Sequence, residues 1–169
     1  MRKEVPLFKQ WDEKWADYPY GDSIIATAGC APTSFAMIAQ FYGATIIPPD
    51  AADFSVSYGY YPTDGGTSWD FFAAAGQQFN APMHQTNDPD EVLAALKEGK
   101  PCIGAHGPGE FTQDGHIIVY AYINDQNEVM VNDPNREDTC KFYAWEFLVE
   151  DNANSGYVAF VSEKVPEKN

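Results

Sequence analysis

Cysteine, histidine and positive charge are all scarce in this chain. Its 169 residues hold three cysteines, three histidines, and 10 Lys and Arg against 25 Asp and Glu. The formal charge of −15 repels phosphate backbones, which excludes nucleic acid as a partner. The same charge suits a protein acting on neutral or basic peptides, and an acidic surface also serves solubility alone. The sequence lacks any apolar run of about 18 residues, so no membrane span is expected. Met1-Arg2-Lys3-Glu4 leads into no apolar stretch of the kind a secretory signal needs. Cys30, Cys102 and Cys140 are odd in number and follow no metal spacing. They exclude a disulfide framework and give no zinc pattern, and a Cys102–Cys140 pair is left open. Cys102, in an apolar run, reads as an inert buried thiol. Neither a metal nor a cofactor is expected.

What the chain does have is apolar material: 44% hydrophobic and 15% aromatic residues. The whole of residues 1–169 is expected to form one domain. A domain of this size buries roughly 70% of its unfolded surface without staples. The first half reads mainly as helices: one from Ala31 to about Tyr42, a short turn at Asp50 to Phe54, one from Thr67 or Ser68 to about Gln78, and one from Pro89 to Glu98 capped by Asp88. Pro48-Pro49 reads as a break between them, and Tyr58 to Gly66 as loop. The second half reads mainly as strands: Pro101 to Ala105, His116 to Ile123 turning through Asp125-Gln126-Asn127 into Glu128 to Asn132, Lys141 to Tyr143, and Gly156 to Ser162, with a short helix from Ala144 to Val149. Helices first and strands later give an α+β class with an antiparallel sheet.

The most informative residue is Cys30, in Gly29-Cys30-Ala31-Pro32-Thr33-Ser34. A thiol at a helix N-terminus faces free backbone N–H groups and the positive end of the helix dipole. Both favour the nucleophilic thiolate. Taken singly, most cysteines are small buried hydrophobes, and it is the position after a glycine at a helix start that sets Cys30 apart.

A nucleophilic cysteine needs a base, and the base needs an orienting group. Of the three histidines, His84 lies in a connecting stretch and is expected to be exposed. His106 ends an apolar run beside Gly107-Pro108-Gly109 and can line a cleft. His116 opens the strongest strand after Asp114-Gly115 and is the preferred base. Asp133, in Val131-Asn132-Asp133-Pro134, falls at the same end of the hairpin as His116 and can orient it. Asn132 is the alternative orienter, and Asp133-Pro134 also reads simply as a turn. For the oxyanion, the Cys30 backbone N–H is one donor. Gln10 is the candidate for the second, with Gln40 and Gln77 equally eligible from the residues alone.

Val5-Pro6-Leu7-Phe8-Lys9-Gln10, Trp15, Tyr20-Gly21, Gly29 to Ser34 with Met37, then Gly99-Lys100-Pro101, Gly115-His116-Ile117-Ile118-Val119 and Val131-Asn132-Asp133-Pro134 occur in an order that resembles the family thirty-nine-like cysteine peptidases. These are relatives of the bacteriocin-processing double-glycine peptidases in the papain-like clan. The resemblance runs from about Val5 to Val161. It implies a papain-like fold, with N-terminal helices carrying the nucleophile packed on a C-terminal antiparallel sheet. It also implies Cys30 as nucleophile, His116 as base, Asp133 as orienter, Gln10 as oxyanion donor, and a peptide or protein substrate. Ala31 departs from the glycine usual after the cysteine. Cleavage after a double glycine is not implied, because the chain has no room for a transporter. The Tyr58 to Gly66 loop and Trp69 are expected either to shape the substrate cleft or to pack the core.

The leading expectation is therefore a cysteine peptidase working through a covalent acyl-enzyme. A thiol acyltransferase or amidase with the same triad, and a non-catalytic peptide-binding module on the same fold, are the alternatives. The resemblance places the protein as a bacterial exported or cell-envelope enzyme whose leader lies outside the sequence, with a cytoplasmic location left open.

Overall fold

The computed structural model describes residues 3–62, 66–154 and 156–166. Two short strands, β1 (Pro19–Tyr20) and β2 (Ser23–Ile24), and a single helical turn, α1 (Ile25–Ala28), lead directly into α2 (Cys30–Phe41). Ten of the twelve α2 residues are buried, so this helix is the interior spine of the N-terminal half. Helices α3 (Pro48–Ser57) and α4 (Asp70–Gln78) follow, then strand β3 (Met83–Thr86), helix α5 (Pro89–Lys97), strands β4 (Cys102–His106), β5 (His116–Ile123), β6 (Glu128–Asn132) and β7 (Phe142–Ala144), helix α6 (Trp145–Ala153) and strand β8 (Ala159–Ser162).

Strands β3 to β8 form one six-stranded sheet in the order β3-β8-β4-β5-β6-β7, and every pairing is antiparallel. Alternation along the strands divides its side chains between two faces. Ile103, Ile117, Val119 and Phe160 pack with Phe35 and Ile38 of α2 and with Phe71 and Phe72 of α4. Cys102, Ile118, Tyr120, Val131 and Val161 pack on the other side with Val92 and Leu96 of α5 and with Trp145 and Leu148 of α6. The expected α+β arrangement, N-terminal helices, here including the one that starts at Cys30, packed on an antiparallel sheet, is what the chain adopts. Helices α5 and α6 cover the second face as well, since both carry an apolar stripe that has to be buried. A smaller cluster of Trp15, Tyr20, Ile25, Ala52 and Tyr61 braces the approach to α2.

Several elements differ from the sequence reading. Pro48 and Pro49 start α3 instead of breaking the chain, because a proline's missing N–H costs nothing in a first turn. The Asp50 carboxylate also accepts the Ile47 N–H at 2.9 Å. Helix α3 therefore runs ten residues, well beyond the short turn expected at Asp50 to Phe54. Strand β3 had no clear signal; only Met83 and Thr86 of its four residues are buried, and it pairs on one side only, with β8. The expected strand from Gly156 starts only at Ala159, and the helix expected to end at Val149 continues to Ala153. The loop expected from Tyr58 to Gly66 is loop where described, with residues 63–65 outside the described set. All three cysteines are free.

Candidate active site

Gly29 lets α1 and α2 meet. Its φ of −91° suits any residue, but a Cβ there would stand 2.6 Å from the Ile25 carbonyl oxygen and 2.7 Å from the Ile25 side chain. The turn ahead thus closes tightly on the helix start and delivers Cys30 as the first residue of α2, partly exposed.

His116 is the first residue of β5. Its Nε2 lies 2.7 Å from Asp133 Oδ1, which leaves Nδ1 for Cys30, the other side chain that acts on the ring's charge. Burial alone would push the His116 pKa down. The Asp133 hydrogen bond and the influence of Asp133 and Cys30 outweigh that and raise it from 6.5 to about 10. Asp133 is fully buried. Burial pushes its carboxyl up, but His116, the Thr139 hydroxyl and the Asn135 N–H hold it below the usual carboxylate range. Asp133 Oδ1 accepts the Asn135 N–H at 2.8 Å, and Oδ2 accepts the Thr139 hydroxyl at 2.7 Å. A carboxylate so held stays ionised and fixed in direction.

Asn132, the alternative orienter, turns away: its amide donates to the Pro6 carbonyl at 3.2 Å. Gln10 is 3% exposed. Its Nε2 donates to the Ala26 carbonyl at 2.9 Å and more distantly to Ile25 at 3.4 Å, while Oε1 is buried with no hydrogen-bond partner. Its backbone N–H donates to the Pro134 carbonyl at 2.7 Å. Gln10 therefore touches both the turn that presents Cys30 and the loop that presents Asp133. Gln40 donates instead to the Ile46 carbonyl at 2.8 Å.

The other histidines are engaged elsewhere. His84, in strand β3, is flanked by Glu91 at 2.6 Å and Glu163 at 2.9 Å. His106 borders the same cleft as Cys30 but is 2% exposed. Its Nδ1 lies 2.7 Å from Asp151 Oδ2 and its Nε2 2.6 Å from the Tyr120 hydroxyl. Burial pushes the His106 pKa below its ordinary value despite Asp151.

The supporting groups around Asp133 had escaped the sequence reading. The Lys9 ammonium donates to the Asp133 carbonyl at 2.8 Å, the Arg136 carbonyl at 2.7 Å and the Cys140 sulfur at 3.1 Å. Lys9 stands beside Gln10 in the opening motif, and that adjacency was the only hint; Thr139, six residues beyond Asp133, had none. The cleft beside Cys30 has a volume of about 330 Å3, and Trp69 and Ala105 are among the residues lining it. Among the described residues no group of three His, Cys, Asp or Glu side chains could hold a metal ion, and no helix is long and apolar enough to cross a membrane.

Residues 2–159 match the model of the Peptidase_C39-like family. No curated protein matches the chain in sequence. Among solved structures, a chain from Bacillus anthracis named as a C39-like peptidase superposes with a TM-score of 0.62 at 17% identity, covering 95% of this chain and 96% of that one. The peptidase domain of Streptococcus ComA, a bifunctional ABC transporter in a quorum-sensing pathway, gives 0.65 at 16% identity, covering 95% and 99%. The N-terminal C39-like domain of a toxin-secretion ATP-binding protein from Vibrio parahaemolyticus gives 0.50 at 16% identity, covering 79% and 94%. At these identities the likeness is one of fold.

Proposed function

The chain belongs to the Peptidase_C39-like family, and on that basis we propose that it is a cysteine peptidase in which Cys30, His116 and Asp133 act as a triad. The observation that carries the reading is the alignment of three groups from three elements: a thiol at the start of α2, an imidazole at the start of β5, and a buried carboxylate on its far nitrogen.

The Cys30 sulfur attacks the scissile carbonyl carbon, and the oxygen takes the charge. The Cys30 backbone N–H is one donor to that oxyanion. Gln10 is the second, keeping one amide hydrogen on Ala26 and releasing the other from its long 3.4 Å contact with Ile25. The raised His116 pKa supports a ring that enters the reaction charged. It gives its proton to the departing amine as the C–N bond breaks, leaving a thioester on Cys30. Water then attacks the thioester, its proton passes to His116, and the C–S bond breaks to release the carboxylate. Asp133 holds the ring in the orientation both steps need. The steps use no metal or cofactor. A bacterial exported or cell-envelope setting accompanies the reading, in keeping with the likeness in fold to the peptidase domain of a Streptococcus ABC transporter.

The test is a peptide-library digest read by mass spectrometry with the wild type and Cys30→Ala. The wild type is expected to produce cleavage products and an acyl-enzyme mass on rapid quenching. Equal cleavage by Cys30→Ala would remove Cys30 from the chemistry.

A further inference from the structure

The chain between β4 and β5, residues 107–115, leads directly into His116, and Gly107, Gly109 and Gly115 make it rich in glycine. Glycine leaves a backbone unusually free, so the place of His116 depends on what grips this loop. The grip converges on Glu110. Its backbone N–H donates to Asp151 Oδ1, on α6, at 2.9 Å. Its backbone carbonyl accepts from Arg136 Nη1 at 2.9 Å. Its carboxylate accepts the Tyr143 hydroxyl of β7 at 2.8 Å. Beside it, Phe111 is buried with its ring against His106 and Tyr143. Asp151 is 7% exposed, and a Cβ at Gly109 would stand 2.3 Å from its Oδ1, so the loop packs directly on that carboxylate. The Gly109 N–H donates to the Thr112 carbonyl at 2.9 Å, and the Thr112 hydroxyl accepts the Asp114 N–H at 3.1 Å. These bonds stiffen the stretch from Glu110 towards His116. Arg136 belongs to the loop after β6 that also holds Asp133, and its own backbone N–H donates to Asp133 Oδ1 at 3.3 Å. Asp138 pairs with the guanidinium and aims it.

We propose that Asp151 and Arg136 are positioning residues for the His116–Asp133 pair: by holding the two backbone groups of Glu110, they lock the loop that leads into the base against the loop that carries its orienter. Both act through Glu110. Asp151 does so from α6, on the face of the sheet opposite α2. The effect on turnover rests on the peptidase reading of Cys30; the junction itself does not. A base shifted by about 1 Å can lose on the order of 100-fold in rate, so a clamp at this distance from the sulfur still bears on catalysis.

The test reads the His116 ring by NMR across a pH series, and kcat and KM on a peptide that the wild type cleaves. The titratable groups acting on His116 are Asp133, Cys30 and, across β4, His106. Loss of the Arg136 charge would by itself make His116 hold its proton more firmly. In Arg136→Ala, release of that proton at a lower pH than in the wild type therefore reports lost geometry, and this is the expected result. Its kcat is expected to fall on the order of 10-fold, with KM changed far less. Arg136→Lys keeps a donor for the Glu110 carbonyl and should recover most of both. Asp151→Ala and Asp151→Asn lose the same charge, but only Asn keeps an acceptor for the Glu110 N–H, so Ala should be several-fold slower. Leu148→Val, a packing change on the same helix, should lower the thermal midpoint and leave kcat as it is. Arg136 is exposed, so its variants keep the test usable if Asp151→Ala folds poorly. A His116 titration in Arg136→Ala at or above that of the wild type, equal kcat for the two Asp151 variants, or an equal loss of kcat in Leu148→Val overturns the proposal. The expected NMR change in Arg136→Ala, in a protein whose wild type cleaves no peptide, leaves the junction standing and overturns the peptidase reading instead.

Discussion

His106 and His116 are register partners across β4 and β5, yet each is tied to a different carboxylate, His106 to Asp151 and His116 to Asp133. The two pairs are pushed opposite ways. Burial wins at His106 and lowers its pKa; at His116 burial loses to Asp133 and Cys30, and the pKa rises to about 10. Positive charge is thus directed to the histidine beside the sulfur, and each ring's charge disfavours the other's.

NMR of the ring protons across a pH series should separate them. His116 is expected to stay charged well above 6.5, while His106 stays neutral through the neutral range. Because the folded His116 pKa exceeds the unfolded value of 6.5, its contribution to stability is complete below pH 6.5 and is lost as pH rises towards 10. A His116 resonance titrating at or below 6.5 would contradict the ion pair.

Thiol alkylation at neutral pH should mark Cys30 much faster than the other two cysteines. Cys102 is fully buried and burial pushes its thiol up to about 12, so it should react only on unfolding. Cys140 is held by Lys9 and the Asp133 N–H and should fall between. Peptide mapping after timed labelling gives the order, and equal rates at all three would end the case for an activated Cys30.

Asp133→Ala is expected to lower kcat by on the order of 10²–10⁴-fold by releasing the His116 ring. Asp133→Asn should cost less, since its carbonyl can still accept from Nε2, but His116 should then titrate lower. Thr139→Val removes one bond to the buried carboxylate and should cost about 1–3 kcal/mol of stability in denaturant melts. Equal kcat for Asp133→Ala and the wild type would show that the ring needs no orienter.

Gly29→Ala should damage the site without touching a reacting group. Its Cβ has no room against Ile25, so α1 or the start of α2 has to shift. A loss of about 1–3 kcal/mol in stability with slower Cys30 labelling is expected. Unchanged labelling would mean that the turn absorbs the methyl.

Gly104→Ala tests the second histidine pair. The added Cβ would stand 2.3 Å from the Tyr120 hydroxyl and 2.9 Å from His106 Nε2. The expected result is loss of the His106–Tyr120 bond and a thermal midpoint several degrees lower, with Cys30 labelling slowed far less than by Gly29→Ala.

The parts of the site legible in the sequence were those set by local chemistry. A cysteine after a glycine at a helix start, and a histidine opening a strongly apolar strand, announce themselves within a few residues. The choice between Asn132 and Asp133 did not, because it depends on where β6 stops. Asn132 is its last residue and bonds to the lead-in chain, which frees the next residue for His116. The exclusion of His106 depends on Tyr120 and Asp151, which only the folded sheet brings to it. Strand β3 was missed because half its residues face water, and α3 was underread because two prolines that usually end a helix here begin one. The position of Gln10 against the Cys30 turn came from family resemblance; composition and spacing gave it no advantage over Gln40.

The order of strands has a consequence during synthesis. Strand β8, last in the chain, lies between β3 and β4, and Lys9 and Gln10 reach across to the Asp133–Pro134 loop. On the ribosome Cys30 emerges early, but His116 follows only 86 residues later, Asp133 103 residues later, and β8, which closes the sheet, later still. At the usual pace of translation that delay is roughly ten seconds. Through that interval the nascent chain carries the Cys30 thiol without the groups that surround it in the folded protein.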